Sequence, residues 1–173
     1  MALPNLQEPL IQKAKKKGFE KCALVEEYVK GQEYSVEYIS WKGNHHFLAL
    51  TQKYTIGSPY FIGTGHLEPA SVDDVTLERV EAVVSHALNS LNIQYGASHS
   101  ELKISKEGNI KLIEIGGRMG GDNIGASLVE LSTGYDFFDA VLDVALGIEP
   151  KSKNKAVQCS NQVRFFKEGL NGA

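Results

Sequence analysis

The chain has 173 residues, with 18 Lys+Arg against 21 Asp+Glu, a net charge of −3, and 42% hydrophobic residues. That length fits one domain or a large piece of one, and the mildly acidic, well-mixed composition excludes a disordered chain, a basic nucleic-acid surface and a membrane-surface helix. The apolar runs are short and the first ten residues include Pro4, Asn5, Gln7, Glu8 and Pro9, so neither a signal peptide nor a spanning helix is expected and a cytoplasmic setting is. Cys22 and Cys159 stand far apart with no CxxC neighbour, which predicts reduced thiols rather than a disulfide framework or a zinc site.

Residues 6–17 pattern as an amphipathic helix with a basic last turn, ended by Gly18. The period then changes. CALVEEYV (22–29), YSVEYISW (34–41) and HFLALTQKY (46–54) are β-branched and aromatic runs separated by Gly31 and the Gly43-Asn44 pair, and predict an antiparallel meander. TIGSPYFIGTGHLEPA (55–70), punctuated by Gly57, Pro59, Gly63, Gly65 and Pro69, reads as a shaped loop rather than an element of its own. Residues 73–91 form the best amphipathic helix, with Val75, Leu77, Val80, Val83, Val84, Ala87, Leu88 and Leu91 at helical spacing. Residues 97–105 and 110–115 flank KEGN as a second hairpin, two more helices are expected at 123–131 and 136–146, KSKNK (151–155) is a solvated linker, and AVQCSNQVRFF is a strand that stops almost as it starts. Strands first and helices mixed in later predict an α+β fold, an antiparallel sheet with helices packed on one face.

The second hairpin carries chemistry. If KEGN closes it as a four-residue loop with Ser105 facing Ile110, Glu101 lies opposite Glu114; a two-residue loop moves the register by one pair and leaves both carboxylates on one face. Leu102, Ile104, Ile113 and Ile115 are then expected to share the other face. Opposed Cβ atoms are about 5 Å apart and like charges there are destabilising. A divalent cation neutralises them, and Mg²⁺ suits a pair of carboxylates that shares the ion with nucleotide phosphates. A solvated face on which Lys103 and Lys111 dilute the repulsion is the equal alternative from spacing alone. Immediately afterwards Gly116, Gly117, Gly120, Gly121 and Gly125 surround Arg118, ahead of a helix that Asp122 or Asn123 would cap. Free backbone N–H groups and a guanidinium fork predict an anion site. Tight turns alone would account for the glycines but not for the arginine, and the run is neither a Walker A loop nor a clean GxGxxG.

Three segments, ALVEEYVKGQEYSVEY, the helix 73–91 and HSELKISKEGNIKLIEIGGRMGG, in that order, resemble the second half of the nucleotide-binding fold of ATP-grasp ligases. The first is similar to the family's hinge strand, and the last to its metal-binding hairpin and E-x-N-x-R pattern. The resemblance implies that Glu26, Glu27 and Val29 line an adenine ring, chiefly through backbone groups of Glu27 and Val29, and that Glu33 bonds the ribose hydroxyls. Read without the family, Glu33 is an ordinary exposed glutamate. It further implies ATP and Mg²⁺ as cofactors, with Mn²⁺ able to replace the latter: Glu101 and Glu114 hold the metal, and Arg118 stabilises the acyl phosphate and the tetrahedral intermediate. The departure is Gly116, where many relatives have an Asn ligand.

Within that superfamily the 55–70 segment and the approach to Glu101 look most like the carboxylate–amine, L-amino-acid ligase branch. That likeness makes His66 a contact of the substrate carboxylate, with a solvent-exposed loop histidine as the equal alternative. His99, on the carboxylate face, becomes a substrate or supporting group, whereas His45, His46 and the strand-end Lys53 read as surface, Lys53 with the option of reaching a phosphate. The implied organisation is a partial ATP-grasp domain over 1–150 (1–32 the end of the lid subdomain and the adenine hinge, 33–150 the metal- and phosphate-binding subdomain), then a linker and a truncated segment over 151–173. The implied activity is activation of a carboxylate as acyl phosphate and its coupling to an amine. The expected partners are ATP, the two small substrates and N-terminal domains of the same parent, with a homodimer as an option and neither nucleic acid nor membrane. Such a piece is expected to be inactive alone, because in-line phosphoryl transfer needs positioning from both sides of the nucleotide. The alternative is a non-catalytic nucleotide- or metabolite-binding module.

Overall fold

The structure, a computed structural model, describes residues 8–17, 19, 22, 24–57, 61–151 and 159–165. Six strands, β1 (Gln32–Trp41), β2 (Asn44–Thr55), β3 (Gly63–Glu68), β4 (Gly96–Ile104), β5 (Ile110–Gly116) and β6 (Asn161–Arg164), form one antiparallel sheet in the order β5-β4-β1-β2-β3-β6. The helices are α1 (Glu8–Lys17), α2 (Asp74–Ser90), a π-helical turn (Ile124–Leu128) running into α3 (Val129–Thr133), and α4 (Phe137–Ala145).

Strand alternation divides the core in two. Tyr34, Val36 and Tyr38 of β1 point to one face, where Leu50 and Leu102 join them against Val80, Val84 and Leu88, the i, i+4, i+8 stripe of α2. Asp73 starts that helix by accepting a 2.7 Å bond from the Thr76 N–H. Ile39 points to the other face, and with Leu48, Ala49 and Ala97 it packs against Val129, Phe137 and Ala140 of α3 and α4. The expected α+β class with an antiparallel sheet is what the chain adopts; the helices, expected on one face, lie on both, α2 against one and α3 and α4 against one end of the other.

Several elements differ from the sequence pattern. The run 22–29 is not a strand: among its described residues none is in a regular element, and Leu24 and Tyr28 are exposed. Both hydrogen-bonding edges of β1 are taken by β2 and β4, so no neighbouring edge remains for it. The 55–70 segment, conversely, is not only loop, because 63–68 form β3 between β2 and β6. Its Gly65 is required for that pairing, since a Cβ there would lie 2.5 Å from the Val163 carbonyl oxygen. The helix expected at 123–131 is broken into the π-helical turn and α3. Asn123, at φ 64°, makes no side-chain cap. The last strand is as short as expected, four residues. Residues 6, 7, 18 and 152–155 of the expected first helix and linker lie outside the described residues. No described helix is long and apolar enough to cross a membrane.

Candidate functional site

The β4–β5 ladder pairs Ile104 with Ile110, Lys103 with Lys111 and Leu102 with Leu112, then slips by one, so that Glu101 pairs with Glu114, Ser100 with Ile115 and His99 with Gly116. The loop is one residue longer than a four-residue closure, with the Ser105 N–H bonding the Asn109 carbonyl at 2.9 Å, and a bulge at Ile113 cancels the difference. The two carboxylates therefore stand directly opposite each other. The bulge also breaks the expected apolar set: Leu102, Ile104 and Ile115 pack with the α2 core, but Ile113 is turned out and 45% exposed.

From this pair a line of charged groups crosses the sheet on the face opposite α2. Lys53 Nζ lies 2.5 Å from Glu101 Oε1 and 3.2 Å from Glu33 Oε1, tying β2 to β4 and β1. His99 Nε2 is 3.4 Å from the same Glu101 oxygen, and His99 Nδ1 bonds Glu37 Oε1. Glu37, fully buried, accepts a second bond at 2.9 Å from the backbone N–H of Gly120. Burial pulls the His99 imidazole down, but its bonds to Glu101 and Glu37 outweigh that and push it up to about 9. The bond from His99, then burial opposing it and Lys53 reinforcing it, bring Glu101 down to about 2. Burial also works against the Lys53 ammonium, and Glu101 and Glu33 more than restore it. Lys53 is thus a half-buried cross-strand tie, not the exposed strand-end lysine expected.

Arg118 follows on an exposed turn, donating from Nη1 to the Met119 carbonyl at 2.8 Å, with its side chain over Gly116. One of the turn's N–H groups expected to face an anion, that of Gly120, is occupied by Glu37. His66 is no solvent-exposed loop histidine: it sits on β3 opposite Lys53, 2% exposed, with Nε2 3.6 Å from Asp122 Oδ2 and its ring edge-on to Phe165. Burial holds its imidazole below the ordinary range, against the pull of the Asp122 carboxylate. Glu26 and Glu27 are exposed, and the Val29 carbonyl accepts from Lys103 Nζ at 3.3 Å. That ammonium lies over the Tyr28 and Phe61 rings, whose centroids are 5.6 Å apart. Two cavities flank Lys103, one of about 330 Å³ bordered by Tyr28, Glu33, Lys53 and Phe61 and one of about 320 Å³ bordered by Glu26, Glu27, Val29 and Ile113.

The structure thus brings Glu33, Lys53, His99 and Glu101 into one chain of contacts, sets Glu114 beside it in register, and places Glu26, Glu27 and Val29 at the neighbouring cavity. Sequence reasoning missed Glu37, and it placed Lys103 on the carboxylate face only as a charge that dilutes the repulsion. For Glu37 two-residue alternation was the available signal, since it shares a face with Glu33. Among the described residues no cluster of three or more His, Cys, Asp or Glu converges as a metal cage. The donor set is a pair of carboxylates, which fits Mg²⁺, an ion commonly held by one or two carboxylates while water and phosphate supply the rest.

Residues 4–126 match the family model of the ATP-grasp domain. No curated protein matches the chain. Among solved structures it is similar to an L-amino acid ligase from Bacillus licheniformis, at 28% identity and TM-score 0.76 over 88% of this chain and 36% of that one. It is also similar to a phosphoribosylglycinamide synthetase from Anaerococcus prevotii (22% identity, TM-score 0.72, 88% and 39%). A third is the biotin carboxylase domain of 2-oxoglutarate carboxylase from Hydrogenobacter thermophilus in complex with MgADP, ADP and bicarbonate (18%, 0.73, 88% and 33%). The last two show the fold alone, and the chain spans less than two fifths of each of the three. With the family model covering well over half of its residues, the chain belongs to the ATP-grasp family.

Proposed function

We propose that the chain is the metal- and phosphate-binding part of an ATP-dependent carboxylate–amine ligase, one that activates a carboxylate as acyl phosphate and couples it to an amine. The observation that carries this reading is the direct opposition of Glu101 and Glu114, with Arg118 four residues further on an exposed turn. The likeness to an L-amino acid ligase supports the choice of amine and carboxylate substrates. In this reading 1–32 end a lid subdomain and form the adenine hinge, 33–150 hold metal and phosphates, and 151–173 lead into a further segment.

The residues then divide the work. Backbone groups of Glu27 and Val29, with Glu26, meet the adenine, and the Tyr28 and Phe61 rings border the cavity that Glu33 would use to bond ribose hydroxyls. Glu101 and Glu114 would hold Mg²⁺, which supplies charge neutralisation to the phosphates when bound. Glu101 offers Oε2 for this, because Lys53 and His99 hold Oε1. Arg118 presents a planar fork that fits two oxygens of a transferring phosphoryl group. His66 contacts the substrate carboxylate, and His99 supports the glutamate beside it. A second reading, a non-catalytic nucleotide-binding module, is favoured by Gly116 at the position of the family's Asn ligand.

Calorimetric titration of the chain with Mg-ATP tests the site. Binding is expected to be weak and magnesium-dependent and to vanish in Glu114→Ala; magnesium-independent binding unchanged by that substitution overturns the reading. In the full-length parent, Arg118→Lys is expected to lower turnover roughly a hundredfold, the equivalent of about 3 kcal/mol, with little change in the Michaelis constant for ATP. Full turnover in the lysine variant, or none in the wild type, favours the binding module.

A further inference from the structure

Glu37 has no role assigned by any motif that points to the site, yet it is the most deeply buried charged group beside it, with 0% exposure in the middle of β1. Both of its oxygens are engaged. Oε1 bonds Nδ1 of His99, its partner across the β1–β4 ladder, and Oε2 accepts from the Gly120 N–H on the turn after β5. Three separate pieces of chain, β1, β4 and the glycine turn, thus meet on one carboxylate.

A buried carboxylate is a poor choice if packing is all that is required. An apolar side chain of similar volume fills the same space without the cost of desolvation, and a single carboxylate is retained only with its bonds made. The bonds here go to two groups next to the proposed chemistry. His99 touches Glu101, and Gly120 lies two residues beyond Arg118. Gly120 is itself shaped for this seat, since a Cβ there would lie 2.5 Å from Glu37 Oε1 and 2.9 Å from His99 Nδ1. The turn is closed from its far side as well. A Cβ on Gly125 would lie 2.8 Å from Met119 Cβ and 3.1 Å from the Gly120 nitrogen, so the π-helical turn presses Met119 and Gly120 toward the sheet.

We propose that Glu37 is a positioning residue: its carboxylate pins His99 and Gly120 to one seat, and so fixes the turn that carries Arg118 in place relative to Glu101 and Glu114. The inference rests on the reading of those two glutamates as the metal pair. Glu37 touches neither metal nor nucleotide. It acts through the Gly120 amide, holding the arginine turn at the end of β5, and through the His99 ring, holding the Glu101 side chain. A turn rich in glycine has little stiffness of its own, and this one bond replaces it.

The test uses the ¹⁵N-labelled chain and its Glu37→Ala, Glu37→Asp and Glu37→Gln variants. Amide exchange is read first, without nucleotide. Alanine removes the carboxylate and aspartate withdraws it by one methylene, so each is expected to speed exchange of the Gly120 amide about tenfold or more, while the β1–β4 ladder amides keep their rates. Glutamine keeps the length and an acceptor oxygen and is expected to restore protection. Mn²⁺ with ADP is then added as a paramagnetic probe. In the wild type, broadening should reach the amides of Glu101, Glu114 and the 118–121 turn; in the alanine and aspartate variants it should persist at the glutamates and fade from the turn. Should alanine prevent folding, the aspartate and glutamine variants still decide the matter. Gly120 exchange unchanged in aspartate, or a turn broadened as in the wild type, overturns the role of Glu37 and leaves the metal pair standing. Absence of broadening at Glu101 and Glu114 in the wild type itself overturns the metal reading, and this proposal with it.

Discussion

On the sheet face opposite α2, the same three strands carry an apolar half and a charged half. Ile39, Ala49 and Ala97 are buried under Val129, Phe137 and Ala140, whereas further along the strands Glu33, Lys53, His99 and Glu101 run in contact with one another. Glu37 and His99 mark the border, where the Gly120 turn crosses the sheet. Alternation along a strand assigns a residue to a face, but the neighbour lying over it decides which chemistry that position tolerates. Where α3 and α4 cover β1, β2 and β4, small or apolar residues fill the contact. Where that cover stops, charges are tolerated because they compensate one another. A third arrangement is seen at Glu68, buried on β3, which accepts from Thr51 Oγ1 at 2.5 Å and Ser132 Oγ at 2.8 Å and so anchors α3 through hydroxyls.

If the halves differ as described, they respond differently to perturbation. The largest effect is expected in the apolar half. Phe137→Ala removes a side chain only 1% exposed and should cost about 3–5 kcal/mol in denaturant unfolding. A loss below about 1 kcal/mol would mean that the helical cover contributes little and that the division is false. Proton linkage probes the charged half. His99, raised from 6.5 to about 9, contributes stability that is complete below pH 6.5 and is lost as pH rises through 9. Glu101, lowered from 4.5 to about 2, contributes stability present above pH 4.5 and lost as pH falls through 2. Stability against thermal unfolding should therefore fall between pH 6.5 and 9 by an amount on the order of 3 kcal/mol, and a His99→Gln variant should lack that slope. An equal slope in the variant would place the titration elsewhere. The smallest change is expected from Lys53→Met, about 1 kcal/mol or less in the same melts, because the ion pairs it breaks reach solvent. Destabilisation as large as that of Phe137→Ala would show that the charged line is a structural brace.

Much of the fold is legible in local pattern. The α2 stripe, the strands β1, β2, β4 and β5, and the α4 cap at Asp136 all follow from periods and capping residues that act within a few positions. The failures are of another kind. The 22–29 run has strand composition, but both edges of β1, the strand it leads into, are taken by β2 and β4, and β3 has loop composition but an edge on either side that accepts it. Its glycines, which argued for a loop, are what permits β6 to approach Gly65. In the site, the opposition of Glu101 and Glu114 was readable from the spacing and the parity of the hairpin. It holds for a reason not readable there, a longer loop offset by a bulge at Ile113.

The sequence by itself determined that Glu101 and Glu114 share a face, where the long helix starts, and that Arg118 stands in a glycine turn shortly after the second carboxylate. These are properties of chain period and of residue order, and they survive whatever the rest of the molecule does. Only the tertiary structure decided that Lys53 lies between Glu33 and Glu101, that His66 is buried against Phe165, and that Glu37 joins His99 to Gly120. Each of these contacts links strands, or a strand and a turn, brought together by sheet pairing and by the packing of α3 and α4. Their partners are distant in sequence, and a side chain of fixed type is a surface charge or a buried tie according to what is laid over it.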